Sequence, residues 1–336
     1  MNSNPFANGG SEAQAARRAV DELTSLIDAI EPPNQISQRP VPTENRWPDP
    51  PAEDAFHGLA GEFLRIVEPH TEADPAAVLA QFLCFFGNAI GRNAFFPVGA
   101  DQHHGNINAI IVGATASGRK GTSLSQVRRL FEFVDPGWTR TQILSGLSSG
   151  EGLIWAVRDP IEKKEAQKEK GHVTGYESVI VDHGIADKRL LVIESEFSST
   201  LKVAAREGNT LTGVIRQAWD TGDLRLLTKT NPAQSTGAHI SIVGHIPQDE
   251  LLRCISSTEL GNGFANRFLW VCAKRSKLLP DGGRLLTTDL APVLERLREA
   301  VARLLKKYNG TPGRGPNGTP FMVICQPVNP GSSVQF

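Results

Sequence analysis

Ile110-Ile-Val-Gly-Ala-Thr-Ala-Ser-Gly-Arg-Lys-Gly-Thr-Ser123 opens as an apolar β-type stretch, turns through a glycine-bounded loop, and leaves it on a lysine and two hydroxyl residues. Those parts, in that order, suit a nucleoside triphosphate. Backbone N–H groups wrap the phosphates, a cation neutralises them, a hydroxyl holds Mg2+, and the next helix presents its positive end. The spacing departs from G-x-x-x-x-G-K-[ST]: Arg119 stands between Gly118 and Lys120, and Gly121 separates Lys120 from Thr122. Two registers follow. In one, Arg119 takes the lysine position and Lys120 falls where a hydroxyl belongs, which loses the metal ligand. In the other, the loop is one residue longer, Lys120 reaches the phosphates, and Thr122 or Ser123 holds Mg2+. The second is the better chemistry, and the bland alternative is a glycine-rich turn that binds nothing. The nucleotide-binding set is then Gly113, Gly118, Arg119, Lys120, Gly121, Thr122 and Ser123, with ATP and Mg2+ as ligands.

Further along, Leu190-Leu-Val-Ile193 is a short, wholly apolar run that delivers Glu194-Ser-Glu196 at the tip of a strand. Carboxylates so placed order the waters of a bound metal and act as base on an attacking water. Glu196 is the choice for the base and Glu194 for a carboxylate on the metal side or one layer behind it, although Ser195 stands where an Asp is usual. Val179-Ile-Val-Asp182 has the same apolar-then-acid form, but its neighbours are charged, so it reads as an edge strand or hairpin. His239-Ile-Ser-Ile-Val-Gly-His245 is another buried strand. ATPases of the RecA and AAA+ kind place a polar residue such as His245 between the acidic strand end and the γ-phosphate; the alternative is a hydrogen-bonded histidine before a helix. Arg267, after the glycine turn Gly261-Asn-Gly263, suits an arginine finger to a neighbouring subunit or an ion pair within its own. Arg216, Arg225 and Lys229, with Trp219 nearby, offer cations and a ring to a nucleic-acid strand; a Trp at helical spacing is also an ordinary core residue. His103-His104 has no partner at metal spacing and reads as surface loop.

The rest of the chain bounds these readings. Its 336 residues are 40% hydrophobic and 21% charged, with net charge −1, which removes bulk basicity as a nucleic-acid signal. The four cysteines show no C-x-x-C spacing and read as free buried thiols of a reducing compartment. No signal-peptide pattern and no bilayer-length apolar stretch is present, so a cytoplasmic protein without membrane contact is expected. A helix with apolar spacing over 11–30 leads into a proline-rich linker up to residue 53. Helices then run from Phe56 to Val67 and from Pro75 to Ile90, a helical lead-in over 54–106. Strands at Ile107–Val112, Leu190–Ile193, Ala238–Val243 and Phe268–Cys272 alternate with helices at Leu124–Val134, Ser199–Arg206, Val214–Trp219 and Gln248–Cys254. The charged run Glu162–Lys170 is a solvated excursion. An amphipathic helix from Ala291 ends the core at 308, and 309–336 is an irregular Gly/Pro-rich tail. Fully apolar strands alternating with helices predict an α/β protein with a mainly parallel sheet flanked by helices, and the order of glycine loop, Glu194/Glu196, His245 and Arg267 resembles the RecA/AAA+ P-loop type.

Val112-Gly-Ala-Thr-Ala-Ser-Gly-Arg-Lys-Gly-Thr-Ser, Asp187-Lys-Arg-Leu-Leu-Val-Ile-Glu-Ser-Glu-Phe, Gly237-Ala-His-Ile-Ser-Ile-Val-Gly-His and Asn262-Gly-Phe-Ala-Asn-Arg-Phe-Leu-Trp resemble a P-loop NTPase family of phages, plasmids and mobile elements. Its members are often fused to bifunctional primase–polymerase or primase–helicase proteins. The Gly-Arg-Lys-Gly-Thr-Ser form looks like that family's own version of the loop. The resemblance spans about Asp54 to Gly283. It implies an ATPase core, a helicase-type motor in replication of a mobile element, forming a ring of identical subunits, acting on DNA (single-stranded by preference) and working with a primase or other replication partner. The first 53 residues are too short and too proline-rich for a primase–polymerase domain.

Overall fold

The computed structural model describes residues 47–114, 118–169, 172–227, 233–255 and 262–306. The helix expected at 11–30, Lys229, Gly261 and the 309–336 tail lie outside the described residues. From Asp49 onward the described residues belong to one compact unit. Helices α1 (Gly58–Val67) and α2 (Pro75–Ala89) come first. Asp74 caps α2 by accepting the Ala76 N–H at 2.9 Å, and Pro75 pre-sets the helical φ of its first turn. A hairpin follows, β1 (Phe95–Val98) with β2 (Asp101–His104), closed at Gly99 in the left-handed region. The lead-in is therefore not wholly helical, and His103 and His104 sit on a strand: Phe95, Phe96 and Val98 favour extended backbone and Gly99 permits the tight return.

Next come β3 (Ala109–Gly113), α3 (Lys120–Val134), α4 (Pro136–Thr141), β4 (Ile143–Leu144) and α5 (Gly150–Trp155). A ribbon of β5 (Ile161–Glu169) and β6 (His172–Asp182) precedes β7 (Arg189–Glu194). After it lie α6 (Phe197–Ala204), α7 (Leu211–Asp220) and a short pair, β8 (Leu224–Arg225) with β9 (Gln234–Ser235). The chain continues through β10 (His239–Pro247), α8 (Gln248–Cys254), β11 (Leu269–Ala273) and α9 (Ala291–Lys306). Five strands form one all-parallel sheet in the order β11-β3-β10-β7-β4. Every residue of β3 is buried, as befits a strand covered on both faces. Alternation splits its side chains between two cores. Ile111 packs with α1, α2, α3 and α9 on one face, while Ile110 and Val112 pack with α5, α6 and α7 on the other. β11 is an edge strand bonded only to β3, so its outer residues are half-exposed, unlike the central position its apolar run suggests.

Two features of this topology position the site. β10 lies between β3 and β7, so the strand ending in the glycine loop and the strand ending in Glu194 are not neighbours. The connection leaving β3 runs over one face through α3, and that leaving β10 runs over the other through α8, which contacts α6. Adjacent strands whose connections part to opposite faces open a crevice at their carboxyl ends, where α/β sheets hold ligands. Among the described residues, no helix is long and apolar enough to cross a membrane.

Candidate functional site

Gly113 and Gly118 of the glycine loop flank the carboxyl end of β3, beside β10, where this topology places a crevice. Gly113 ends β3 beside Ala273, and a Cβ there would stand 2.6 Å from the Ala273 carbonyl oxygen. A Cβ on Gly118 would stand 2.9 Å from the Ala114 carbonyl and 3.5 Å from Lys120 Nζ. Both glycines are thus required by close backbone approach. Lys120 is the first residue of α3, and its side chain folds back into the loop. Nζ donates to the carbonyls of Ala114 at 2.9 Å and Gly113 at 3.2 Å. Burial lowers the Lys120 pKa from its ordinary value, and Glu250 in the first turn of α8 opposes that shift. The preceding residue offers the first turn of α3 no side-chain cap. Gly121 is exposed and leaves the approach to that turn open.

Arg119 does not join the loop's interior. Its φ is 47° and its ψ is 29°, left-handed, and its Nε pairs with Glu72 Oε2 at 2.6 Å. Glu72 also accepts the Leu279 N–H at 2.9 Å, the largest cause of its lowered pKa, with Arg119 and Arg275 adding to it. The pair with Glu72 agrees better with the longer register, in which Lys120 and not Arg119 takes the lysine position. Of the two hydroxyls, Ser123 is fully buried, donating to the Lys120 carbonyl at 2.7 Å and accepting from Gln81 Nε2 at 2.7 Å. Thr122 is half-buried, and its N–H bonds back to the Arg119 carbonyl at 3.1 Å.

His245 sits on β10 level with Ile111, buried on the α2 side of the sheet. Its Nε2 meets Gln81 Oε1 at 3.3 Å. Burial, reinforced by the charge of Lys120, pushes its pKa down to about 4. His245 and Lys120 are thus close enough to sense each other. Glu194 ends β7, but one oxygen of its carboxylate accepts the N–H groups of Gly146 (2.6 Å) and Leu147 (2.7 Å) in the turn after β4. That turn lies on the far side of β7 from β10. One oxygen of Glu194 is thus engaged on the β4 side of β7. Glu196 is exposed at the start of α6, caps nothing with its side chain, and lies two strands, roughly 10 Å laterally, from β3.

Arg267 is not brought to this crevice within the chain. It precedes β11 at the amino end of the sheet, six positions before Ala273, roughly 20 Å along the strand direction. Its Nη2 pairs with Asp220 at 3.0 Å, and its guanidinium lies 5.5 Å from the Trp219 ring. Trp219 also meets His103, centroids 6.2 Å apart. These residues border a cavity of about 660 Å3, with Asn106 and Asn266 among its other walls. It opens at the amino ends of parallel strands, the end that such sheets do not use for ligands. Arg216 donates to the Asn262 carbonyl at 2.8 Å and Arg225 to Gln234 at 2.8 Å.

Among the described residues no group of three or more His, Cys, Asp or Glu is placed to hold a metal ion. Cys84 is buried, whereas Cys254 and Cys272 are only half-buried. Sequence reading missed Gln81, Glu72 and Glu250 around the loop. The one signal for Gln81 was a lone amide inside the apolar run Val78–Phe86. No protein-family model and no curated protein matches the chain.

Proposed function

We propose that the crevice between β3 and β10 binds ATP with Mg2+ and that the chain is a P-loop NTPase of the RecA/AAA+ type. The observation that carries this reading is Lys120, folded into a glycine loop at the foot of a helix with no side-chain cap, at the sheet's switch point. The loop carbonyls that now accept from Nζ are weaker partners than phosphate oxygens, so a triphosphate would draw the ammonium to itself. The residues present fit Mg2+, which takes few protein ligands and keeps waters and phosphate oxygens. Thr122 would hold it, because Ser123 is committed to Gln81 and Lys120. When bound, the metal supplies charge neutralisation at the phosphates. Glu196 is the carboxylate left to act as base on water. The intervening strand β10, carrying His245 between the loop strand and the acidic strand, agrees with this class.

Hydrolysis drives a helicase-type motor on single-stranded DNA in replication of a mobile element, with a ring of identical subunits and a primase or other replication partner in the cytoplasm. The test is ATP binding and turnover with and without single-stranded DNA. Lys120→Ala is expected to weaken ATP binding at least about tenfold, the loss of one charge-assisted phosphate contact. Undiminished binding in that variant overturns the site. A second reading, a nucleotide-dependent regulatory module that unwinds nothing, is favoured by Arg267, whose guanidinium is held by Asp220 of its own chain. A strand-displacement assay on ATP-bound protein separates the two.

A further inference from the structure

Gln81 lies in the middle of α2 among apolar neighbours, and its side chain is fully buried. A buried primary amide must place two N–H donors and one carbonyl oxygen. Gln81 places all three. Its Nε2 donates to the Ala77 carbonyl at 2.8 Å and to Ser123 Oγ at 2.7 Å, and its Oε1 faces His245 Nε2 at 3.3 Å. Chemistry sets the orientation. The Ala77 carbonyl can only accept, so the NH2 end must face it, and the amide oxygen is left for His245. An amide oxygen also only accepts, so Nε2 of His245 carries the ring proton and Nδ1 is the basic nitrogen. Ser123 donates its own hydroxyl hydrogen bond to the Lys120 carbonyl at 2.7 Å. A continuous chain of hydrogen bonds therefore runs from β10, through α2, into the first turn of α3, and ends on the residue whose ammonium fills the loop.

We propose that Gln81 is a positioning residue of the triphosphate site: it sets the first turn of α3 against the carboxyl end of β10 and couples the tautomer of His245 to the placement of Lys120 and Thr122. This rests on the phosphate-loop reading above. It adds to it a route by which occupancy of the loop is felt at β10. Three elements meet at one amide, and a shift of the α3 first turn toward a bound phosphate must be matched at Ser123 and then at His245. The charged group that bears on His245 is Lys120 itself, so the ring lies where a change at the ammonium is registered.

The test uses the full chain with 15N-labelled histidine, titrated with Mg-ATP to saturation and read by the His245 imidazole nitrogens. In the wild-type chain the Nε2 and Nδ1 signals are expected to move on binding. In Gln81→Leu, at ATP concentrations that saturate the variant, that response is expected to vanish. Gln81→Glu keeps an acceptor against the ring but donates nothing to Ser123, so the response is expected to stay lost while the titration of His245 moves upward, a change that a merely space-filling role does not produce. If Gln81→Leu does not fold, Ser123→Ala cuts the same chain at its other end and is read in the same way. A His245 response that persists in the severed variants, or one absent from the ATP-saturated wild type, overturns the inference. Undiminished ATP binding in Lys120→Ala, or no binding by the wild type, instead removes the phosphate-loop reading, and the inference falls with it.

Discussion

Arg119 is the one non-glycine residue at positive φ among the described residues, and it stands at the entrance to α3. Left-handed backbone costs a residue with a Cβ about 1 kcal/mol. The Glu72 pair offsets part of that, and as a half-exposed pair it contributes at most about 1 kcal/mol. Arg119→Gly removes both terms together, so unfolding free energy is expected to stay within about 1 kcal/mol of wild type, measured by urea titration. The same variant separates the two motif registers. ATP affinity is expected to stay within about threefold, because the guanidinium faces Glu72, and a tenfold loss would return Arg119 to the phosphates. Asn88 makes the opposite kind of point. Fully buried, it donates to the carbonyls of Leu190 and His239, both at 3.0 Å, and accepts from Trp138 Nε1 at 3.1 Å. It ties α2 to β7, β10 and α4. Asn88→Ala strands three buried polar groups and is expected to cost about 2–4 kcal/mol in the same titration.

Among the elements, the β5–β6 ribbon is set apart by exposure. Tyr176 is 71% exposed, and Val173, Ile180 and Val181 are each about half exposed. Its base is held by Arg158, which pairs with Asp182 at 2.9 Å, while Lys188 pairs with Asp159 at 2.7 Å beside it. Ile161 and Asp182 face each other across the ribbon, so a two-residue Asn-Gly turn can join them. Excising 162–181 in this way is expected to leave Tm within about 3 °C of the parent by calorimetry, because neither core cluster includes a ribbon residue. A drop of more than about 10 °C would place the ribbon in the folding unit. The elements of the sheet behave differently. The apolar runs of β3, β7 and β10 could be recognised because a strand covered on both faces has no polar side to display. β1 and β2 carry mixed, half-exposed side chains, and two paired strands of four residues leave no periodic signal longer than the noise of a loop.

Across the whole molecule, three histidines are held neutral by burial. The pKa of His239 is pushed down to about 3, that of His245 to about 4, and that of His104 to about 4, with burial the first cause in each. In the unfolded chain they titrate near the ordinary histidine value, about 6.5. The folded state then binds fewer protons than the unfolded state between those values. Stability is full above about pH 6.5 and is lost as pH falls toward 4 and 3. His239 alone is expected to cost about 2 kcal/mol at pH 5, at about 1.4 kcal/mol per pH unit. Urea titrations at pH 7.5 and pH 5 check this, and His239→Gln should flatten the dependence. A stability unchanged between those pH values would contradict the buried neutral histidines.

Local composition settled what is local. Gly113, Gly118, Lys120 and the wholly apolar runs around Ile110, Leu191 and Ile242 announce a parallel α/β sheet with a glycine loop after its first apolar strand, because burial on both faces and tight backbone turns demand those residue types. Which side chains meet could not be read from the chain. Nothing along the chain announced that the turn after β4 would bring the N–H groups of Gly146 and Leu147 to Glu194. For Arg267 the chain left open a finger to a neighbouring subunit or an ion pair within its own, and only the packing of α7 set Asp220 against it. Gln81 was one amide in an apolar helix until α2 crossed β10 and α3. Hydrogen bonds and ion pairs act over about 3 Å, and residues forty to more than one hundred and fifty positions apart reach that distance only through the packing of whole elements, which no spacing along the chain records.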